Sequence, residues 1–483
     1  MLIVNAAMLE AAGIHGAVEQ LFTGIVADSR QVQPGMVFFA IPGAKGDGST
    51  YIADAISQGA GAIVVPEGTV VKNVNIPVLT STQIRRSLAL LARQLYPRQP
   101  ETLVAVTGTN GKSSVVHFCQ QLWQHCGAES ASIGTVGIIT KNRFIPGELT
   151  TPGALELMQT LNRLADEGVT HAALEASSHG LDQERLTGIV LKAAAFLNLT
   201  RDHLDYHGTM DAYAAAKLRI FGELLPEGGA AVLNIDAAYA DAAKTIIAKR
   251  RQKLITVSSR KSADIQIINI IPRLAGTSVE VRCWGENVIF ETPIVGGFQM
   301  ENMVAALGLV VGSGTVLGAV DVARLLPLLG AVRGRLERVS PDDSDIAVYV
   351  DYAHTPDGLE TALKALRLHT QGKLFVVFGC GGNRDTGKRP LMGAIAKRCA
   401  DVVLVTDDNP RFENAALIRA AIIAGAPGAQ NIGDRGLAIA AAVNQARPGD
   451  VILLAGKGHE TGQIIGDIAV PFSDQEAVKR LFI

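Results

Sequence analysis

The chain has 483 residues, too many for one hydrophobic core, so roughly two to four domains are expected. Lys plus Arg total 44 and Asp plus Glu 46, a net charge of −2, which removes the electrostatic case for a nucleic-acid or anionic-membrane partner. Five cysteines (Cys119, Cys126, Cys283, Cys380, Cys399) form no C-x-x-C pair, which argues against a disulfide framework or zinc ribbon and for a reducing cytoplasm. No apolar run reaches the length of a membrane span. Met1 to Gly16 contains Glu10 and lacks a basic leader with a long apolar core, so no signal peptide is expected.

Apolar runs punctuated by glycine alternate with amphipathic stretches, the pattern of an α/β protein. Near the N-terminus, Val37 to Ile41 reads as a strand closed by Pro42-Gly43. A helix over Tyr51 to Gln58, a strand over Ala62 to Val65 and a helix at about 82–96 follow. Pro97 and Pro100 then break the chain. Leu103 to Val106 reads as a short buried strand, and Val115 to Trp123 as the start of a helix. Between them lies Thr107-Gly108-Thr109-Asn110-Gly111-Lys112-Ser113-Ser114. A glycine loop between strand and helix aims backbone N–H groups at one point, where the positive helix end also favours anions. Lys112 adds a full charge, and the Ser113 hydroxyl suits Mg²⁺. The common P-loop is G-x-x-x-x-G-K-[ST]; here Val106 occupies the first glycine position, so this is a variant that keeps the functional end.

Further strands are expected at Ala172 to Glu175, Ala194 to Leu197 and Ala231 to Asn234. A β-rich stretch at about 264–295 alternates Val279, Val281 and Cys283 with polar residues. The last third has its own βαβ rhythm, with strands at Ala347 to Asp351, Leu374 to Phe378, Val402 to Thr406 and Val451 to Ala455. Each ends in a polar or glycine-rich turn: 351–354, 379–384, 407–411 and 456–460. Ligands of open α/β sheets gather at such carboxyl ends. Turn chemistry accounts for any one of the turns, but poorly for all of them with their Arg, His and Glu.

These residues carry a family resemblance that spans nearly the whole chain. Thr107–Ser114 resembles the phosphate loop of the Mur ligases, ATP-dependent amino-acid ligases of peptidoglycan precursor synthesis, a family that also includes folylpolyglutamate synthetases. The resemblance continues in Thr150-Thr151-Pro152, in 175–180 (Glu-Ala-Ser-Ser-His-Gly), in 198–208, in Ala216-Lys217, in Arg335 and in 351–356. Asp408-Asn409-Pro410-Arg411 resembles the form of that motif in members that add meso-2,6-diaminopimelate; lysine-adding relatives usually lack the arginine. The implied fold is α/β in three domains: an N-terminal UDP-substrate domain over 1–99, a central P-loop-type ATPase domain over 100–331 and a C-terminal Rossmann-like amino-acid domain over 332–483. The implied activity is addition of diaminopimelate to UDP-N-acetylmuramoyl-L-alanyl-D-glutamate through an acyl phosphate. A lysine-adding ligase and a non-catalytic nucleotide-binding scaffold are the alternatives.

The resemblance also implies roles. Gly108, Thr109, Asn110, Gly111, Lys112, Ser113 and Ser114, with Asn302, Arg335 and Asp351, would bind ATP. Ser113, Glu175, His203 and Lys217 would hold Mg²⁺, with Lys217 carbamylated; Lys112, Glu175, His203 and Lys217 would be catalytic. Taken alone, a helical lysine such as Lys217 is most often solvated, Glu175 reads as an ion-paired strand-end carboxylate, and histidine is an unusual magnesium ligand. Ala27, Ser29, Ala44, Lys45, Gly46, Thr150, Thr151, Ser177, Gln183, Arg185 and Lys217 would contact the UDP-linked substrate. Arg384, Asp408, Asn409, Pro410, Arg411, Gly456 and Glu460 would hold diaminopimelate, with the arginines as forks for carboxylate. Two departures from the family pattern stand out: Leu149, where asparagine often precedes the Thr-Thr pair, and Gln299-Met300, where an asparagine-containing run is expected before Asn302. A cytoplasmic monomer without nucleic-acid partner is expected.

Overall fold

The computed structural model describes residues 3–43, 47–72, 74–147, 149–273 and 276–482. The chain divides into two compact units, Met1–Val257 with Ala305–Leu317, and Ser258–Val304 with Gly318–Ile483.

The first unit opens with a small parallel sheet of β1 (Ile25–Val26), β2 (Val37–Phe39), β3 (Ala62–Pro66) and β4 (Val78–Ser81), in that spatial order. Phe38, Ile63 and Val65 pack with Val26, Ile52 and Ala55. Helix α1 (Ile84–Leu95) follows and buries Leu88, Leu91, Ala92 and Leu95, a 3–4 residue spacing that leaves Arg86 exposed.

The second sheet of this unit contains β5 (Thr102–Thr107), β6 (Ser130–Gly134), β7 (Gly137–Thr140), β8 (Phe144–Ile145), β9 (His171–Glu175), β10 (Ala193–Phe196), β11 (Ala230–Asn234) and β12 (Lys253–Ser258). Their order is β12-β11-β10-β5-β9-β6-β7-β8. Strands β12 to β6 in that order are parallel, and β7 and β8 add antiparallel at the edge. Every residue of β5 is buried, as a two-sided parallel sheet requires. Strand order reverses at β5, because β9 and β6 lie on one side and β10 to β12 on the other. A crevice at the carboxyl end is expected at such a switch point. The phosphate loop leaves β5 there and enters α2 (Lys112–His125). That helix begins three residues earlier than its apolar pattern suggested, so Lys112, Ser113 and Ser114 form its first turn. Helix α3 (Met210–Arg219), capped by the Thr209 hydroxyl, carries Lys217.

The second unit contains the antiparallel meander β13 (Ile265–Arg273), β14 (Gly276–Cys283) and β15 (Glu286–Thr292). The period-2 expectation holds: Val279, Val281 and Cys283 are buried and Arg282 is exposed. Its other sheet has β16 (Glu337–Arg338), β17 (Ala347–Asp351), β18 (Leu374–Phe378), β19 (Val402–Val405), β20 (Gln430–Asn431) and β21 (Val451–Ala455), ordered β16-β17-β21-β18-β19-β20. The long strands are parallel, so the polar turns anticipated from sequence line one edge. Alternate residues feed two cores: Leu374, Val376 and Phe378 one face, Phe375 and Val377 the other. Below this edge, Arg435 at the start of α4 (Arg435–Gln445) meets Asp474 at the start of α5 (Asp474–Lys479). Both side chains are fully buried, joined by two hydrogen bonds of 2.7 Å, and Arg435 also donates to Ala455 O. Asp474→Ala leaves a buried guanidinium without its counterion and is expected to lower stability by about 3–5 kcal/mol, read as a lower urea midpoint.

Candidate active site

In the first unit the loop 108–111 is held open by backbone geometry and by a partner segment. Gly111 caps α2 at φ 89°, a left-handed conformation open to glycine without strain. Asn110 and Asn198 exchange hydrogen bonds: Asn110 N donates to Asn198 Oδ1 at 2.9 Å, and Asn198 Nδ2 to Asn110 O at 3.1 Å. Thr200 N donates to Thr109 Oγ1 at 3.0 Å. The segment after β10 thus fixes the loop, a role that the residue types alone do not announce.

Two ammonium groups meet at one carbonyl. Lys112 Nζ donates to Gly108 O and Thr109 O, each at 2.9 Å, and Lys217 Nζ donates to Gly108 O at 2.8 Å. Lys217 is 1% exposed and lies 4.6 Å over the Tyr213 ring. Desolvation, then repulsion by Lys112, holds its amine well below the ordinary lysine range, with Asp202 opposing. The solvated-lysine reading of Lys217 is therefore wrong: packing brings the end of α3 onto the phosphate loop. Burial pushes the Tyr213 phenol up to about 12, so it stays protonated at neutral pH.

Glu175 ends β9 and is buried. Its carboxylate accepts from Thr135 N at 2.8 Å and from Thr135 Oγ1 at 3.2 Å; among the described residues it is in no ion pair. A Cβ on Gly134 would stand 2.1 Å from Glu175 Oε1, so that glycine makes room for the carboxylate. Thr135 Oγ1 lies 3.0 Å from Thr150 Oγ1. Thr151 Oγ1 bonds Glu175 O at 2.8 Å and Ser177 Oγ at 2.9 Å. Arg185 donates to Thr151 O at 2.6 Å and to Gln183 Oε1 at 2.7 Å. One network therefore joins Thr150, Thr151, Ser177, Gln183 and Arg185, five residues expected to share a ligand. Thr135 was missed, because only the sheet places it against β9.

His203 sits at φ 52°, half-exposed, with Nε2 3.4 Å from Asp202 Oδ2. Its ring lies 6.1 Å from that of Tyr213, which Lys217 also covers. Among the described residues no group of three or more His, Cys, Asp and Glu is placed to hold a metal. Ser113 and Ser114 are buried in the first turn of α2. Ser29 is buried in a short turn after β1, and Ala27 is exposed. Ala44, Lys45 and Gly46 lie outside the described residues.

In the second unit the turn after β19 meets the turn after β21. Asn409 Nδ2 donates to Glu460 Oε2 at 2.9 Å. Lys457, fully buried, lies 3.2 Å from Glu460 Oε2, 3.3 Å from Asn409 Oδ1 and 3.7 Å from Asp408 Oδ1. Its ammonium balances the two acids and was not singled out from sequence. Gly456, at φ 109°, would place a Cβ 3.5 Å from Asp408 Oδ2. Pro410 is buried, and Arg411 is half-buried at φ 50°, with Nη1 donating to Gly382 O at 3.0 Å. A Cβ on Gly381 would stand 2.9 Å from Arg411 Nη1 and 3.8 Å from Arg384 Cγ, so both arginines border one glycine; Arg384 is exposed.

Asn302, Arg335 and Asp351 are also brought together. Asn302 Nδ2 donates to Gln299 Oε1 at 2.9 Å, and Gln299 Nε2 to Arg335 O at 3.3 Å. Asp351 accepts from Leu336 N and Ala353 N, each at 2.8 Å. Burial pushes its carboxyl up, and Arg335 opposes this. The Arg335 guanidinium lies 5.0 Å over the Tyr352 ring. Gln299, a departure from the family pattern, serves here as the link between Asn302 and Arg335.

Family models match in three stretches: Mur ligase family, catalytic domain over residues 21–99; Mur ligase middle domain over 106–310; and Mur ligase, glutamate ligase domain over 334–458. A protein of Rhizobium meliloti (strain 1021) named UDP-N-acetylmuramoyl-L-alanyl-D-glutamate--2,6-diaminopimelate ligase is 48% identical, over 95% of this chain and 93% of its own. A protein of Caulobacter vibrioides with the same name is 47% identical, over 95% of each chain. A solved structure with that name superimposes with a TM-score of 0.70 at 36% identity, over 96% of this chain and 95% of its own. A MurF ligase of Thermotoga maritima in complex with ADP shares the fold, with a TM-score of 0.62 at 19% identity. The three matched stretches, together with relatives aligned over nearly its full length, make this chain a member of the Mur ligase family.

Proposed function

We propose that the protein is an ATP-dependent ligase that adds meso-2,6-diaminopimelate to the D-glutamate γ-carboxylate of UDP-N-acetylmuramoyl-L-alanyl-D-glutamate, in peptidoglycan precursor synthesis. The observation that carries this reading is the cluster of Asp408, Asn409, Lys457 and Glu460 after β19 and β21, with Arg411 in the same turn as Asp408, in a chain whose phosphate loop shares a carbonyl with buried Lys217. Diaminopimelate has two carboxylates and two ammonium groups. Arg384 and Arg411 suit the carboxylate; Asp408, Asn409 and Glu460 suit ammonium. The relatives named for this reaction support the same substrate. We assign the UDP domain to 1–99, the ATPase domain to 100–331 and the amino-acid domain to 332–483. The family matches break near those boundaries.

The chemistry begins with two anions that must approach, a carboxylate and a triphosphate. Lys112 and the N–H groups of 108–113 neutralise and orient the β- and γ-phosphates. The carboxylate oxygen attacks the γ-phosphorus, the bond to the β-γ bridging oxygen breaks, and ADP leaves an acyl phosphate. The amine of diaminopimelate attacks the acyl carbon, and phosphate departs with the bonding pair as the nitrogen loses a proton. Thr150, Thr151, Ser177, Gln183 and Arg185, with Ser29 and Ala27, hold the UDP-linked partner. Asn302, Arg335 and Asp351 hold the nucleotide. By the resemblance, Ser113, Glu175 and His203, and Lys217 once its amine has become a carbamate, would hold Mg²⁺, which would supply charge neutralisation at the phosphoryl oxygens. A neutral, desolvated Lys217 amine is the form that CO₂ can carbamylate.

Among the described residues no helix is long and apolar enough to cross a membrane. We place the enzyme in the cytoplasm as a monomer. The test is phosphate release from ATP with the UDP-linked dipeptide plus diaminopimelate, lysine or no amino acid. Release that depends on diaminopimelate supports the reading. Release with lysine but not with diaminopimelate makes it a lysine ligase, and no release in any arm makes it a scaffold.

A further inference from the structure

Glu413 and Arg389 have no place in the roles above, yet both stand where the two arginine-bearing turns meet. Arg389 belongs to the helix Lys388–Cys399, which follows the turn after β18, and its side chain is buried. Glu413 follows Arg411 by two residues and is half-buried. Its Oε1 accepts from Asn383 N, and its Oε2 accepts from Arg389 Nη2 at 2.9 Å. Arg389 Nη2 also donates to Gly381 O at 3.4 Å. The Asn383 N–H, then Arg389, hold the Glu413 carboxyl below its usual range, so it is ionised at neutral pH.

The bonds fall on the residues next to each arginine. Just before Arg384, Gly382 N donates to Asn409 O at 2.9 Å. Asn383, at φ 53°, gives its N–H to Glu413 and accepts from Phe412 N on its Oδ1 at 3.2 Å. A Cβ on Gly382 would stand 1.9 Å from Pro410 O, so the two backbones touch and only glycine fits. Asn409 and Pro410 before Arg411, and Phe412 and Glu413 after it, are thus all held against 382–383. Guanidinium groups on two turns that border one glycine repel each other, which favours turns that drift apart. A carboxylate gripped from both turns needs both forks in place, and misplacement by about 1 Å costs up to roughly a hundredfold.

We propose that Glu413 is a positioning residue for selection of the amino acid: it locks the turn of Arg384 to the turn of Arg411, so that the distal carboxylate of diaminopimelate meets a preset pair of guanidinium groups. The inference rests on the diaminopimelate reading above. Charge alone predicts the opposite sign. Glu413 is an anion close to a site for carboxylate, so its removal tightens a carboxylate ligand if only the field matters. Removal of a joint weakens that ligand instead.

The test is steady-state phosphate release with diaminopimelate, lysine and ATP each varied, together with amide hydrogen exchange over 379–384. It compares the wild type with Glu413→Ala, Glu413→Gln and Asn383→Gly. Glu413→Gln keeps an acceptor for the Asn383 N–H without the charge. Asn383→Gly keeps the left-handed backbone without strain and removes the bond to Phe412 N. Glu413→Ala is expected to raise KM for diaminopimelate roughly tenfold and to lower the preference over lysine by a similar factor. Its kcat and its KM for ATP should stay within about twofold, and exchange over 379–384 should quicken. Glu413→Gln should recover most of the loss. Asn383→Gly should act in the same direction by about threefold, and it carries the test if Glu413→Ala does not fold. An unchanged or lower KM for diaminopimelate in Glu413→Ala overturns the proposal and leaves the ligase reading standing. An equal rise in KM for diaminopimelate, lysine and ATP overturns it too, because general loosening has no selectivity. If the wild type releases no phosphate with diaminopimelate, the substrate reading fails, and exchange then decides: faster exchange in Glu413→Ala keeps the joint, and unchanged exchange ends it.

Discussion

Lys217→Ala is expected to lower kcat by roughly a thousandfold, with bicarbonate or acetate restoring part of the activity. The reason starts with burial. An ammonium at 1% exposure has lost its water, and the Gly108 carbonyl that it bonds is shared with the Lys112 ammonium. Both effects favour the neutral amine, and the amine pKa falls well below its usual value. On the proposed reading the neutral amine would add CO₂ to give a carbamate and a released proton, which would put an anion beside the phosphate loop. Small carboxylates can enter the space left by the alanine variant and stand in for that anion. The sign of the pH effect follows: acidification protonates the amine and returns CO₂, so wild-type activity in CO₂-stripped buffer should fall as pH falls and recover on adding bicarbonate. Mass spectrometry of the native protein should show the added CO₂ under the same conditions. Full activity in Lys217→Ala, without additives, would refute the assignment.

Diaminopimelate is expected to be preferred over lysine by about four orders of magnitude in kcat/KM. Arg411 is held at φ 50°, half-buried, with one nitrogen on Gly382 O. Its remaining donors would be covered once an amino acid binds, and on the proposed reading the distal carboxylate of diaminopimelate would then accept from them. Lysine has no such carboxylate, so its binding would leave a desolvated guanidinium unsatisfied. Lys457 sharpens the contrast: it compensates Asp408 and Glu460, so the pocket does not attract cations indiscriminately. Arg411→Ala should raise KM for diaminopimelate about a hundredfold or more and shrink the gap to lysine, with KM for ATP little changed. Competition of the two amino acids in one assay gives the ratio directly. Equal turnover by the wild type would remove Arg411 from the specificity role.

The two expectations differ in how far sequence could reach. Asp408 to Arg411 are contiguous and follow a strand, so their chemistry is legible as a motif, and parallel pairing of β17, β21, β18 and β19 puts their turn beside that of Glu460. Lys217 is legible only through resemblance. Helical lysines are ordinarily solvated, and nothing local to Ala216-Lys217 shows that α3 packs its end onto the phosphate loop.

What the sequence determined is whatever depends on short range. Aliphatic runs of five or six residues define the strands, because a two-sided sheet must bury them all. Gly111 and Lys112 define the phosphate loop, because the left-handed cap and the charge act within one turn. What only the tertiary structure decided is which distant groups share a partner: Thr135 with Glu175 across β6 and β9, Asn198 with Asn110, and Lys112 with Lys217 on one oxygen. Desolvation and charge repulsion depend on distance and burial in space, and these exist only after the sheets and helices have packed.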